Sequence, residues 1–199
     1  MVTAIRLGVL AIAMGLVSLV GVSTASAQAE YNAGGSTAPD GIWFGGGLNA
    51  QAGFGNEGVD GAGVRLEAGF PLGTVGPGQF ALAVPFQTIH ESFGSERFNE
   101  ATIGIEGQWE YVVPIDMSHR LGIVPFAAFN MGGLWFSGPE DGSFMINFAT
   151  GASVRFGFDF GLYLEARPLA FSFNIPFGFA DHFFAAYEFH FTVGYRLGS

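Results

Sequence analysis

The sequence predicts an all-β chain, an eight-stranded antiparallel up-and-down transmembrane β-barrel, and three observations carry that prediction. Apolar residues alternate with polar or small ones in long period-two runs, as extended strands require and helices do not. The connections between the runs are long and short in turn. The composition is also ill suited to coating a water-facing surface: 49% of residues are hydrophobic, 12% are charged, there are 32 Gly and 23 Phe, and there is no Lys. A soluble domain carries about 25% charged residues and covers itself with Lys and Glu.

The chain opens with one positive charge at Arg6, an apolar run from Leu7 to Val22, and then STASAQ. Ala25, Ser26 and Ala27 give the small-residue pattern at which a signal peptidase cuts, so residues 1–27 are expected to be a cleaved signal peptide. The apolar run is shorter than the roughly 20 residues that span a bilayer as a helix. Residues 28–39 read as a short periplasmic lead-in and 40–199 as the barrel. The absence of Cys leaves neither a lipid-attachment site nor a disulfide framework.

Strands are expected near 41–54, 62–72, 79–89, 101–113, 120–132, 143–157, 160–172 and 183–197. In the first, Ile42, Phe44, Leu48, Ala50, Ala52 and Phe54 oppose Gly45, Gly47, Asn49 and Gln51. The second sets Val64, Leu66, Ala68, Phe70 and Leu72 against Arg65, Glu67 and Gly69. The third (QFALAVPFQTI) and fifth (RLGIVPFAAFNMG) are apolar on both sides, so the alternation assigns neither face. The fourth opposes Ile103, Ile105, Trp109 and Tyr111 to Thr102, Gly104, Glu106, Gln108 and Glu110. The sixth opposes Phe144, Ile146, Phe148, Ala152, Val154 and Phe156 to Asn147, Gly151, Ser153 and Arg155. The seventh groups Tyr163, Glu165 and Arg167 against Leu162, Leu164 and Ala166. The last, YEFHFTVGYRL, alternates throughout. Pro85, Pro125 and Pro168 fall inside strands, where a missing ladder donor predicts local bulges.

GNEGVDG, HESFGSERFNE, GLWFSGPEDG and NIPFGFAD are the long connections; GTVGPG, PIDMSH and FDFG are the short ones. A barrel with one rim toward the exterior and the other toward the periplasm shows this rhythm.

The polar side of the strands reads as an interior. It mixes small residues with Arg65, Glu67, Glu106, Glu110, Arg155, Glu165, Arg167, Glu188, His190 and Arg196. A narrow lumen demands small residues and paired charges, and planar guanidinium groups fork onto carboxylates. Unpaired burial would cost several kcal/mol per ion, so four Arg and five Glu are expected to neutralise one another. The same alternation fits a soluble sandwich with a solvated face, the alternative fold. Trp43, Trp109, Tyr111, Tyr187 and Tyr195 lie toward strand ends, where aromatic girdles meet lipid headgroups.

With its leader, eight alternating strands and an aromatic-rich last strand (Tyr187, Phe189, Phe191, Tyr195, followed by RLGS), the segment Asp40 to Ser199 resembles the small outer-membrane β-barrels of the OmpA-domain and OmpX type. The resemblance implies the outer membrane of a Gram-negative-type bacterium, with membrane lipid and the barrel-assembly machinery as partners. It also brings in lipid-modifying enzymes and the OmpW-like barrels, which are proposed to release hydrophobic molecules sideways into the membrane. On that analogy Phe173, Ile175, Phe177, Phe179, Phe183 and Phe184 would line an apolar vestibule for a hydrophobic small-molecule ligand. The plainer account is that they extend the flanking strands.

Chemistry is harder to find. His90, His119, His182 and His190 have no neighbouring nucleophile whose spacing makes a dyad; Ser118 and His119, being adjacent, would face opposite ways on a strand. FGGGLNA lacks the Lys and helix of a phosphate loop, and HESFGSE and GPEDG read as solvated acidic loops without a Ca²⁺ ligand ladder. No catalytic residue, cofactor or metal is expected, and a net charge of −10 argues against nucleic acid. The function read from the sequence is an integral outer-membrane barrel, structural or surface-contacting, with a polar and largely plugged interior. The alternatives are a narrow channel for small hydrophobic molecules and, more remotely, a lipid-modifying enzyme.

Overall fold

A computed structural model describes residues 41–54, 59–93, 96–115, 119–136, 143–177 and 184–197. The leader, the lead-in, His182, Phe179 and Phe183 lie outside these. Eight strands form one closed barrel in sequence order: β1 (Trp43–Gly53), β2 (Asp60–Val75), β3 (Gly78–Phe93), β4 (Glu96–Pro114), β5 (His119–Phe136), β6 (Ser143–Phe158), β7 (Leu162–Phe177) and β8 (Phe184–Arg196). Every neighbouring pair is antiparallel, and β1 pairs with β8 from Trp43↔Arg196 to Gly53↔Ala186, so no edge is left open.

Following paired residues once round the wall, Phe144 leads through Gly133, Ala101, Thr88, Val64, Leu48, Phe191 and Ala166 to Val154, ten residues farther along β6 (154 − 144). That stagger tilts the strands and lets eight of them close round a filled centre.

The strands run farther than the alternation marked. HESFGSERFNE is mostly ladder, with β3 reaching Phe93 and β4 starting at Glu96, so Glu91 and Glu100 belong to the wall and not to a solvated loop. At the other end, Gly76 (φ 61°) and Pro77 join β2 to β3, Gly supplying the positive φ that a two-residue hairpin turn needs at its first central position.

Of the three prolines expected to bulge, only Pro168 does. Around Pro85 and Pro125 the ladder to β4 loses rungs, but the register resumes unchanged. At Pro168 the register slips by one residue, seen from both β6 and β8, and Pro168 and Leu169 both face outward. A further slip near Pro71 and Gly73 was not foreseen. The slip in β7 reverses parity: Tyr163, Glu165 and Arg167 point inward, and beyond it Ala170, Ser172 and Asn174 do.

The apolar rows face outward. Leu48, Leu66, Ile103, Ile105 and Phe191 are among the exposed large side chains, whereas Arg, Glu, Gln and Asn are buried in the lumen. The two strands left unassigned also resolve: Gln79, Gln87 and Glu91 of β3, and Phe126, Ala128 and Asn130 of β5, point inward.

Candidate functional site

Alternation aims side chains from every strand at one axis, and β2, β4, β6, β7 and β8 supply the ten ionisable residues singled out from the sequence. All ten residues singled out from the sequence are inside and buried. Eight form one chain of ion pairs across the lumen. Glu106 on β4 is its hub: it accepts from Arg65 Nη2 at 2.8 Å and from Arg167 Nη1 and Nη2 at 2.8 and 2.7 Å. Arg65 and Arg167 also reach Glu67 Oε2 at 3.2 and 3.3 Å. Arg167 Nε donates to Glu165 Oε1 at 2.8 Å, and Arg155 donates to Glu165 Oε2 and Glu110 Oε2 at 2.5 and 3.0 Å. Arg196 Nη2 closes the chain on Glu110 Oε2 at 2.9 Å.

The balance is therefore four Arg to four Glu. Glu188, counted from the sequence as the fifth carboxylate of this set, pairs instead with His190 Nε2 at 2.8 Å. Many of the contacts link strands that are not neighbours in the wall, so the network spans the bore. Fork-like guanidinium geometry suits this role, because each Arg serves more than one carboxylate.

Aromatic rings pack against the network. The Arg155 guanidinium lies 4.9 Å from the Tyr163 ring and 5.6 Å from Trp43, Arg196 lies 5.3 Å from Trp43, and Arg167 lies 4.3 Å from Phe126. Trp43 is only 1% exposed, so it does not belong to a lipid girdle. Its parity, opposite to Ile42 and Phe44, turns it inward, over Gly69 of β2; Tyr163 covers Gly194 of β8 in the same way, and a Cβ on either glycine would sit about 2.2 Å from the ring. Trp109 and Tyr111 stack on the outer face, where Trp109 Nε1 donates to the Val75 carbonyl at 2.9 Å. On the turn side of the network the cavity measures about 30 Å³, room for roughly one water.

The rim-side half is polar but differently built. Asn130, Asn147 and Asn174 hand hydrogen bonds along β5, β6 and β7 at 2.7 and 2.6 Å. Glu91 and Glu100 join Glu188 and His190 there; neither was picked from the sequence, although extending the inward row Gln87, Ile89 or stepping back from Thr102 reaches them.

The proposed vestibule residues separate. Phe173, Ile175 and Phe177 are on the outward face of β7, paired with Phe148, Ile146 and Phe144 of β6, because the bulge reverses parity ahead of them. They extend a strand and do not line the mouth. Phe184 turns inward and packs on Val59, Phe98, Leu134 and Met145, an apolar roof over part of the rim. His90 Nδ1 bonds Asn99 Oδ1 at 2.9 Å on the outer face, and His119 packs against Phe156 and Phe158.

No family model matches the chain, and no curated protein does. The fold is that of the small eight-stranded outer-membrane β-barrels. Among solved structures, Neisserial surface protein A (NspA) is similar, with 13% identity over 78% of this chain and 97% of that chain at a TM-score of 0.53. Ail, the attachment invasion locus protein of Yersinia pestis, is 12% identical over 79% of this chain and 99% of that chain, with a TM-score of 0.45.

Proposed function

We propose that this chain is an integral outer-membrane barrel with a closed lumen, serving the envelope as a structural element or a surface contact. One observation carries the reading: apolar side chains cover the outside while the eight-residue Arg–Glu network crosses the inside. The pattern inverts that of a water-soluble protein, as a barrel in lipid requires. Contact at the surface is supported by the polar outward positions Asp60, Ser92, Arg97 and Asn99 at the rim ends of β2, β3 and β4. No lipid-modifying activity is part of the proposal.

The test is reconstitution of the full chain into planar bilayers. A silent current record, together with a barrel that runs faster on gels unheated than boiled, is the expected result. Reproducible conductance steps in the unmodified protein, or recovery as a detergent-free monomer, would overturn it.

A further inference from the structure

The adjoining ends of β3 and β4 bring two carboxyl groups together inside the lumen. Ile89 pairs with Glu100 and Glu91 with Phe98, so Glu91 and Glu100 are diagonal neighbours on the inward face, where side chains of paired strands touch. Both are buried, and their carboxyl groups lie within hydrogen-bonding reach of each other.

Each carboxyl has one oxygen served and one not. Gln51 Nε2 donates to Glu91 Oε1 at 2.8 Å, and Gln87 Nε2 and Thr102 Oγ1 donate to Glu100 Oε1 at 3.5 Å. Glu91 Oε2 and Glu100 Oε2 are buried with no donor. Charged groups across the lumen do not supply one. On β8, Glu188 adds a like charge and keeps His190 at 2.8 Å for itself. The guanidinium groups of Arg65 on β2 and Arg167 on β7 are spent on Glu67, Glu106 and Glu165. Inward side chains of β1, β5 and β6 at this end, Asn49 and Gln51, Leu134, Met145 and Asn147, carry no charge.

Two touching carboxylates cannot both stay ionised away from water. One proton between them satisfies both bare oxygens and removes the repulsion in a single step.

We infer that Glu91 and Glu100 share one proton as an acid–carboxylate pair, and that this proton fastens β3 to β4 inside the rim-side half of the lumen, making that half labile to alkali. In the unfolded chain both carboxyls are solvated and ionise at about pH 4.3. The folded chain therefore holds one proton more above that point, and its stability falls as pH rises until the pair lets the proton go. Its exit is the rim: a cavity of about 460 Å³ there has Gln51 and Glu91 in its wall and is lined also by Asp60, His90 and Arg97. Once it has left, three buried carboxylates face one another, Glu188 included, whereas the arginines of the turn-side network keep their charge throughout. The pair rests on a lumen closed to bulk water, as proposed above, but on no partner at the surface.

The test uses the full chain in detergent micelles, with infrared spectra in D₂O and thermal midpoints taken from about pH 7 to about pH 10, above the titration of free carboxyls and below that of arginine. The unmodified protein should show the carbonyl stretch of a protonated carboxyl at the lower pH, weaken it on the way up, and lose about 5 °C or more of midpoint with it. Glu91→Gln and Glu100→Gln each place an amide N–H where the proton was. Either should abolish the carboxyl band yet keep the bridge, so that its midpoint falls less than half as far over the same range. Asp159→Asn, on an exposed turn, should retain both the band and the full fall. No such band in the unmodified protein at about pH 7, a band that survives both glutamine substitutions, or a band and midpoint that both persist to about pH 10 would each overturn the shared proton. Because the first and last of these are read from the unmodified protein, the inference remains refutable even if neither variant folds. A silent bilayer record would stand through any of them, so failure of the proton is distinguishable from failure of the closed lumen.

Discussion

Glu106 receives four hydrogen bonds, one from Arg65, two from Arg167 and one from Gln108 at 2.7 Å. Removing its charge takes from two buried guanidinium groups at once their shortest carboxylate contacts, 2.8 Å for Arg65 and 2.7 Å for Arg167, whereas Glu67 sits at longer range from the same two arginines, 3.2 and 3.3 Å. Glu106→Gln should therefore destabilise by about 3–5 kcal/mol, the usual effect of breaking a buried pair from one side. Glu67→Gln should lose distinctly less, and urea unfolding in lipid vesicles measures both; equal losses would deny Glu106 its place as hub. The ten lumen residues were legible because charge in an otherwise apolar alternation has only one side to occupy. Trp43 was misread since residue type at a strand end was allowed to outweigh parity, and the neighbours Ile42 and Phe44 already turn it inward. Glu91 and Glu100 were missed because a cluster of charge, Ser and Gly looks like a loop when the ladder on either side is ignored.

At the level of the strand, β7 shows how one inserted residue decides which side chains meet lipid. Tyr187 of β8 donates its hydroxyl to the Pro168 carbonyl, satisfying an acceptor that the bulge releases from the ladder. Tyr187→Phe should accordingly lower stability by about 0.5–1.5 kcal/mol, the net value of one hydrogen bond. A deletion pair tests the geometry more sharply. Without Leu169, Arg167 still points inward, Pro168 outward and Ala170 inward, so the barrel should assemble and remain heat-modifiable. Without Ala166, Arg167 would turn to the outer face, where an arginine at mid-depth costs about 2–4 kcal/mol and the network loses its link between Glu106 and Glu165. That variant should fail to give the fast-migrating folded band. Pro85 and Pro125 do not bulge because a proline removes one donor, and the rungs on either side hold the register. Sequence alone locates the missing donor; whether the ladder absorbs it depends on neighbouring strands that the local pattern does not contain.

For the whole molecule, the inversion of apolar and polar surface makes the apolar belt the feature that fixes its position in a bilayer, and the belt is uneven. On β6 and β7 the outward row, Thr150 apart, is apolar to the strand ends, with Phe144 and Phe177 in contact at 5.8 Å between ring centroids. On β3 and β4 it stops earlier: above Phe86 come Thr88, His90 and Ser92, and before Ala101 come Arg97 and Asn99. A lipid boundary following these limits runs obliquely round the wall, so the adjoining ends of β3 and β4 stand in water while the corresponding ends of β6 and β7 remain in hydrocarbon. The chain has no cysteine, so single Cys substitutions give unambiguous spin labels. On β8, where Phe189 is 43% exposed and His190 is 2% exposed, labels at Phe189 and Phe191 should be relaxed by oxygen dissolved in lipid and labels at His190 and Thr192 should not. Labels at His90 and Asn99 should respond to a water-soluble nickel chelate, those at Phe144 and Phe177 to oxygen. Uniform water exposure at all four rim positions would make the belt level and place the β6–β7 aromatics above the membrane, whereas a reversed pattern on β8 would contradict the inverted barrel itself.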